Sequence, residues 1–107
     1  MDHSSIPNRI AVTYKQGADQ EAQLVTAYLN DQGVQSVFTS SIMDENLRNK
    51  INAGQVDALI VLGGDGSMLI ASHLCVRAGV PILGINMGSF GFLMELQING
   101  WQEYISR

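Results

Sequence analysis

Residues 58–67 read Ala58-Leu59-Ile60-Val61-Leu62-Gly63-Gly64-Asp65-Gly66-Ser67, an apolar run that stops at three glycines enclosing one carboxylate. The run has the length and composition of a strand. Residues 67–78, free of Gly and Pro, read as a helix. Strand, glycine turn and helix in that order is how a phosphate site is built. Without a Cβ at Gly63, Gly64 and Gly66, backbone N–H groups can come close to an anion and the turn can adopt positive φ, while the helix N-terminus points its own donors at the same spot. Asp65 stands alone at the mouth and is the candidate for chemistry. A purely structural reading stands beside this one, because Asp is a favoured N-cap and glycines also make tight turns in proteins without a ligand.

The remaining segments extend the pattern. Arg9–Tyr14 is β-branched and aromatic, bounded by Pro7-Asn8 and Gly17, and reads as the first strand. Residues 19–32 follow as a helix with Ala22, Val25, Tyr28 and Leu29 on one face and Gly33 in the C′ place. Residues 34–38 read as a second strand, and 45–53 as a short helix capped by Asp44 and stopped by Gly54. Residues 57–62 and 80–85 read as the third and fourth strands, and 99–107 as a further short helix. This alternation calls for a three-layer, Rossmann-like α/β domain over residues 1–107, with a parallel sheet, flanking helices and right-handed crossovers. Ligands of such sheets collect at the carboxyl ends of the strands. A second Gly-rich loop, Met87-Gly88-Ser89-Phe90-Gly91-Phe92-Leu93, leaves the fourth strand after Asn86. Asp65 and Asn86 should therefore lie on one side of the domain.

Composition narrows the partners. The net charge is −4 and the six basic residues are scattered, which argues against nucleic acid, since phosphate-backbone binding needs clustered Lys and Arg. An acidic protein that binds an anionic nucleotide must rely on backbone N–H groups, a helix N-terminus and a metal ion. The apolar runs, about five residues against the roughly 20 needed, are too short to span a membrane. The N-terminal residues lack the pattern of a secretory signal. One cysteine, Cys75, reads as a small buried apolar residue and points to the reducing cytoplasm. A charged fraction of 15% is low for a free surface, so a homo-oligomer or a covering domain is expected.

The two loops together, Gly63-Gly64-Asp65-Gly66-Ser67-Met68-Leu69 and Gly84-Ile85-Asn86-Met87-Gly88-Ser89-Phe90-Gly91-Phe92-Leu93, resemble the N-terminal domain of the NAD kinases. Diacylglycerol and sphingosine kinases share the first loop, and the second separates the two groups. The strong similarity covers residues 59–93, about a third of the chain, while residues 9–37 fit by strand and helix pattern. Ser67 stands where the family usually has Thr, which keeps the hydroxyl, and Phe90 where Leu is usual, which would alter the shape of the adenine pocket that the resemblance implies.

The resemblance implies phosphoryl transfer from ATP, or in some members polyphosphate, to the 2′-hydroxyl of the adenosine ribose of NAD, with Mg²⁺ or another divalent metal. Asp65 would be the general base or a metal-orienting carboxylate, and both roles stay open. Gly63, Gly64 and Gly66 would let backbone approach phosphates, with Ser67 beside them. Asn86 would hold the second loop or bond nucleotide, with Gly88 and Gly91 in that loop, and Phe92 would pack on adenine. Each has a structural alternative: Asn86 bonding its own turn, Phe92 in the core, Ser67 as a first-turn capping hydroxyl. Lys15 is either a phosphate contact or a solvated charge, His73 is structural or exposed, and no cluster of metal ligands is evident. The family carries a further β-rich domain with an Asn-Glu pair, absent from these residues, so the isolated chain is expected to be inactive. The rival functions are a non-catalytic nucleotide-binding module, a lipid kinase fragment and a flavodoxin-like domain. The last would want its glycine loop after the first strand, where Lys15-Gln16-Gly17 is too poor in glycine.

Overall fold

Strands that are apolar on both faces are stable only when both faces are covered. In the computed structural model, which describes residues 8–86, this requirement is met by a four-stranded parallel sheet. Its strands are β1 (Arg9–Tyr14), β2 (Ser36–Ser41), β3 (Ala58–Gly63) and β4 (Ile82–Asn86), in the order β2-β1-β3-β4. The connections are α1 (Asp19–Asp31), α2 (Glu45–Asn52) and α3 (Asp65–Cys75). Residues 87–93 and 99–107, for which a loop and a helix were expected, lie outside the described residues.

Alternation along β1 and β3 sorts the core into two halves. Ile10 and Val12 of β1, Ile60 and Leu62 of β3 and Ile85 of β4 pack against Ala22, Val25 and Leu29 of α1. Ala11, Leu59 and Val61 point the other way, to Leu47 and Ile51 of α2 and to Ala71 and Cys75 of α3. The result is a three-layer α/β arrangement. Each of the larger of these side chains, fully withdrawn from water, contributes about 1.5–3 kcal/mol.

Several boundaries differ from the sequence expectation: β2 ends at Ser41 where residue 38 was expected, and β4 starts at Ile82 where residue 80 was expected. β2 starts at Ser36, not at residue 34, because Val34 belongs to the end of α1. Gly33, at φ +84°, donates its N–H to Asn30 at 3.1 Å, and Val34 donates to Leu29 at 3.1 Å. This is a Schellman closure, and the apolar contact that accompanies it is Val34 on Leu29 in the same core half. α3 starts at Asp65, two residues early, and ends at Cys75, with Gly79 at φ +69° donating to the Cys75 carbonyl at 2.9 Å. The starts of α1 and α2 are as expected, and the Asp44 carboxylate caps α2 by accepting the Asn46 N–H at 2.9 Å.

At the amino ends of β1 and β3, away from the glycine loop, Asp57 accepts the Arg9 backbone N–H at 3.1 Å and its guanidinium at 2.8 and 3.2 Å. The guanidinium hydrogen bond holds the Asp57 carboxyl below its ordinary value.

Candidate functional site

In this strand order the chain leaves β1 toward one face of the sheet, through α1, and leaves β3 toward the other, through α3. The carboxyl ends of β1 and β3 are neighbours, and the chain leaves them toward opposite faces of the sheet. That is the topological switch point at which open α/β sheets bind ligands. β1 is prolonged by one bond, the Lys15 N–H to the Leu62 carbonyl at 3.0 Å. The chain then turns, with Ala18 N–H on the Lys15 carbonyl at 3.0 Å and Gly17 at φ +94°.

On the neighbouring strand Gly63 is still sheet, in register with Asn86 of β4. Gly64 is extended, at φ −106° and ψ −157°, and its carbonyl accepts the Met68 N–H at 3.0 Å as the first bond of α3. Gly64 is thus the N-cap and Asp65 the first helical residue, which corrects the reading of Asp65 as a capping side chain. The expected positive φ at Gly63, Gly64 and Gly66 is also corrected: among the described glycines it occurs at Gly17, Gly33, Gly54 and Gly79. The chain passes from strand to helix through one extended residue, and no left-handed residue is needed.

The three glycines have different reasons to lack a side chain. A Cβ on Gly63 would run into Ser67, whose own Cβ would be 2.6 Å away, so Gly63 lets the first turn of α3 sit directly on the strand end. Ser67 is buried there and is the third residue of the helix. Gly64 and Gly66 meet nothing within 4 Å among the described residues. Neither sterics nor φ in the described chain requires glycine at those two positions. The open space beside them is where another molecule's atoms can approach the backbone.

Asp65 is exposed at the helix start, a place where a negative charge is favoured by about 0.3–1 kcal/mol. Its carboxylate has no hydrogen bond or ion pair among the described residues. It is therefore available for an exogenous hydroxyl or cation.

Residues 6–107 match the family defined by the ATP-NAD kinase N-terminal domain. The chain belongs to the ATP-NAD kinase family. It is 36% identical over 94 residues to the NAD kinase of Aeromonas salmonicida, covering 81% of this chain and 32% of that protein. It is 36% identical over 104 residues to the NAD kinase of Coxiella burnetii, covering 86% of this chain and 34% of that protein. A shorter stretch of 53 residues is 47% identical to the NAD kinase of Methanopyrus kandleri, covering 50% of this chain and 19% of that protein. The chain spans about a third of the length of the first two relatives.

Within this ATP-NAD kinase domain, the fold brings Gly63, Gly64, Asp65, Gly66 and Ser67 to one strand end and sets the Asn86 backbone in register with Gly63. Gly88, Gly91 and Phe92 lie outside the described residues. His73 is exposed on α3. Cys75 is buried, and burial pushes its thiol pKa up. Lys15, for which the sequence leaves a phosphate contact and a solvated charge open, stands beside the glycine loop: its Cβ lies 3.6 Å from where a Gly63 side chain would begin. No periodicity or motif announces this, because it follows from β1 and β3 being neighbours in the sheet. Gly84 likewise has a packing reason, since Met68 fills the space its side chain would occupy.

Proposed function

We propose that this domain, completed by the rest of an NAD kinase, transfers a phosphoryl group from ATP or polyphosphate to the 2′-hydroxyl of the adenosine ribose of NAD, giving NADP. The observation that carries the reading is Asp65: an exposed carboxylate without a partner among the described residues, at a helix start on the switch point, between two glycines that face open space.

The 2′-oxygen forms a bond to the terminal phosphorus of the donor while the bond from that phosphorus to its bridging oxygen breaks, and the leaving phosphate keeps the electron pair. The hydroxyl proton passes to Asp65 or to water. The protein's share of such a transfer is positioning and charge neutralisation. Gly64 and Gly66 give phosphate oxygens access to backbone N–H groups at the start of α3. Gly63 and Ser67 fix that start against β3. Asn86, with Gly88 and Gly91, carries the second loop, and Phe92 packs on adenine.

Among the described residues no group of three or more His, Cys, Asp or Glu converges. A lone carboxylate fits Mg²⁺ that is held mainly by phosphate oxygens, as is usual for this ion. When bound, the metal supplies neutralisation of phosphate charge, and Asp65 is the residue that would orient it.

Three further readings belong to this proposal. A β-rich domain outside residues 1–107 completes the dinucleotide site, so these residues on their own do not turn over. The protein works in the cytoplasm. It assembles with itself, as the exposed apolar side chains Leu24, Met43, Leu69 and Val76 favour. A coupled NADP assay on the full-length protein tests the function, with sphingosine and diacylglycerol as competing acceptors. NADP formation supports the reading, while phosphorylation of a lipid in preference to NAD contradicts it.

A further inference from the structure

We propose that Lys15 binds the phosphoanhydride chain of the phosphoryl donor, across the glycine loop from Asp65. The inference rests on the kinase reading of the site and adds a residue to it. Lys15 is held where it can do this: its backbone is tied to β3 through the 3.0 Å bond to Leu62, and its stem starts beside Gly63. It is exposed, and its ammonium has no ion pair or hydrogen bond among the described residues. The other described cations are placed elsewhere. Arg9 is bridged to Asp57 at the amino end of the sheet, Lys50 lies over the Phe38 ring, Arg48 is on α2, and Arg77 follows the far end of α3.

Charge gives the reason for a cation here. The chain carries a net charge of −4, and the triphosphate of a donor carries more negative charge than the pyrophosphate of a dinucleotide. Asp65 repels both. In an in-line transfer the base contacts the acceptor hydroxyl and the phosphoryl group lies beyond it, so the compensating cation belongs on the opposite side of the reacting atoms from the carboxylate. Lys15 follows the adjacent strand, its Cβ 3.6 Å from where a Gly63 side chain would begin, and Gly63 stands two residues before Asp65. Lysine as a point charge on a flexible stem can follow a terminal phosphate without a fixed bidentate geometry.

The test uses the full-length protein with Lys15→Met, which keeps the stem and removes the charge, and Lys15→Arg, which restores it. Donor kinetics are read with ATP and with inorganic tripolyphosphate at saturating NAD, and tripolyphosphate binding is titrated by calorimetry. Lys15→Met should lose roughly 10- to 100-fold in kcat/KM for the donor, the range for a charged hydrogen bond. KM for NAD and the melting temperature should stay unchanged, tripolyphosphate binding should weaken, and Lys15→Arg should recover most of the loss. Loss with ATP alone assigns the contact to a nucleotide donor, and loss with both donors assigns it to the bare phosphate chain. Donor kcat/KM within about threefold of wild type in Lys15→Met, a loss confined to KM for NAD, or no recovery in Lys15→Arg overturns the proposal. A wild type that makes no NADP contradicts the kinase reading instead. The titration still decides on Lys15 in that case, since equal tripolyphosphate affinity in wild type and Lys15→Met overturns the assignment.

Discussion

Gly66→Ala separates what the fold needs from what a ligand needs. Gly66 is the second residue of α3, its φ is not positive, and a Cβ built on it meets nothing within 4 Å among the described residues. The substitution therefore introduces no clash. It removes the penalty of glycine in a helix, about 0.5–1 kcal/mol relative to Ala. Melting of the full-length protein should rise slightly. Activity should move the other way. The methyl would stand in the space through which phosphate reaches the backbone, and a displacement of about 1 Å of a reacting group costs on the order of 10²-fold in rate. The assay pairs thermal unfolding of the full-length protein with steady-state NADP formation. Higher stability with turnover within about threefold of wild type would refute the reasoning, because the open space would then be no part of the substrate's path.

Gly63→Ala should behave in the opposite sense, losing about 1–3 kcal/mol to overpacking against the Ser67 Cβ, which is fixed to the helix backbone. Chemical denaturation measures this, and pairing with Ser67→Gly should recover much of the loss; no recovery would place the strain elsewhere. Asp57→Asn should lower melting slightly at neutral pH. The hydrogen bond from Arg9 depresses the Asp57 pKa, so its contribution is present above the ordinary value of 3.8 and fades as pH falls through the folded value. Both side chains are solvent-accessible, which keeps the effect small. Melting curves of the two proteins should converge below pH 3.8, and a difference that ignores pH would contradict the ion-pair account.

The element order was legible because Gly and Pro punctuate it: β1 has the expected bounds, and Gly33 and Gly54 end their helices at positive φ. What misled was local chemistry with two uses. Val34 looks like the start of a strand, yet its apolar side chain closes α1 on Leu29. Asp65 looks like a cap, yet extended Gly64 takes that position and leaves the carboxylate outside the helix ladder. The glycine loop stands out in the sequence, yet its backbone is not of the kind three glycines suggest, since close packing at Gly63 and open space at Gly64 and Gly66 among the described residues take the place of positive φ. Lys15 could not be placed without the strand order, which is a tertiary property that no window of sequence contains.

The most direct test of the account is Asp65→Asn in the full-length protein, read for turnover and melting together. Asn has nearly the same size, and the Asp65 side chain makes no hydrogen bond among the described residues that the change would break. Stability should fall by no more than the helix-end charge contributes, about 0.3–1 kcal/mol. NADP formation should fall by about 10²- to 10⁴-fold, the range for loss of a base or of a metal-orienting charge. Turnover within about threefold of wild type would contradict the claim that this carboxylate does the chemistry.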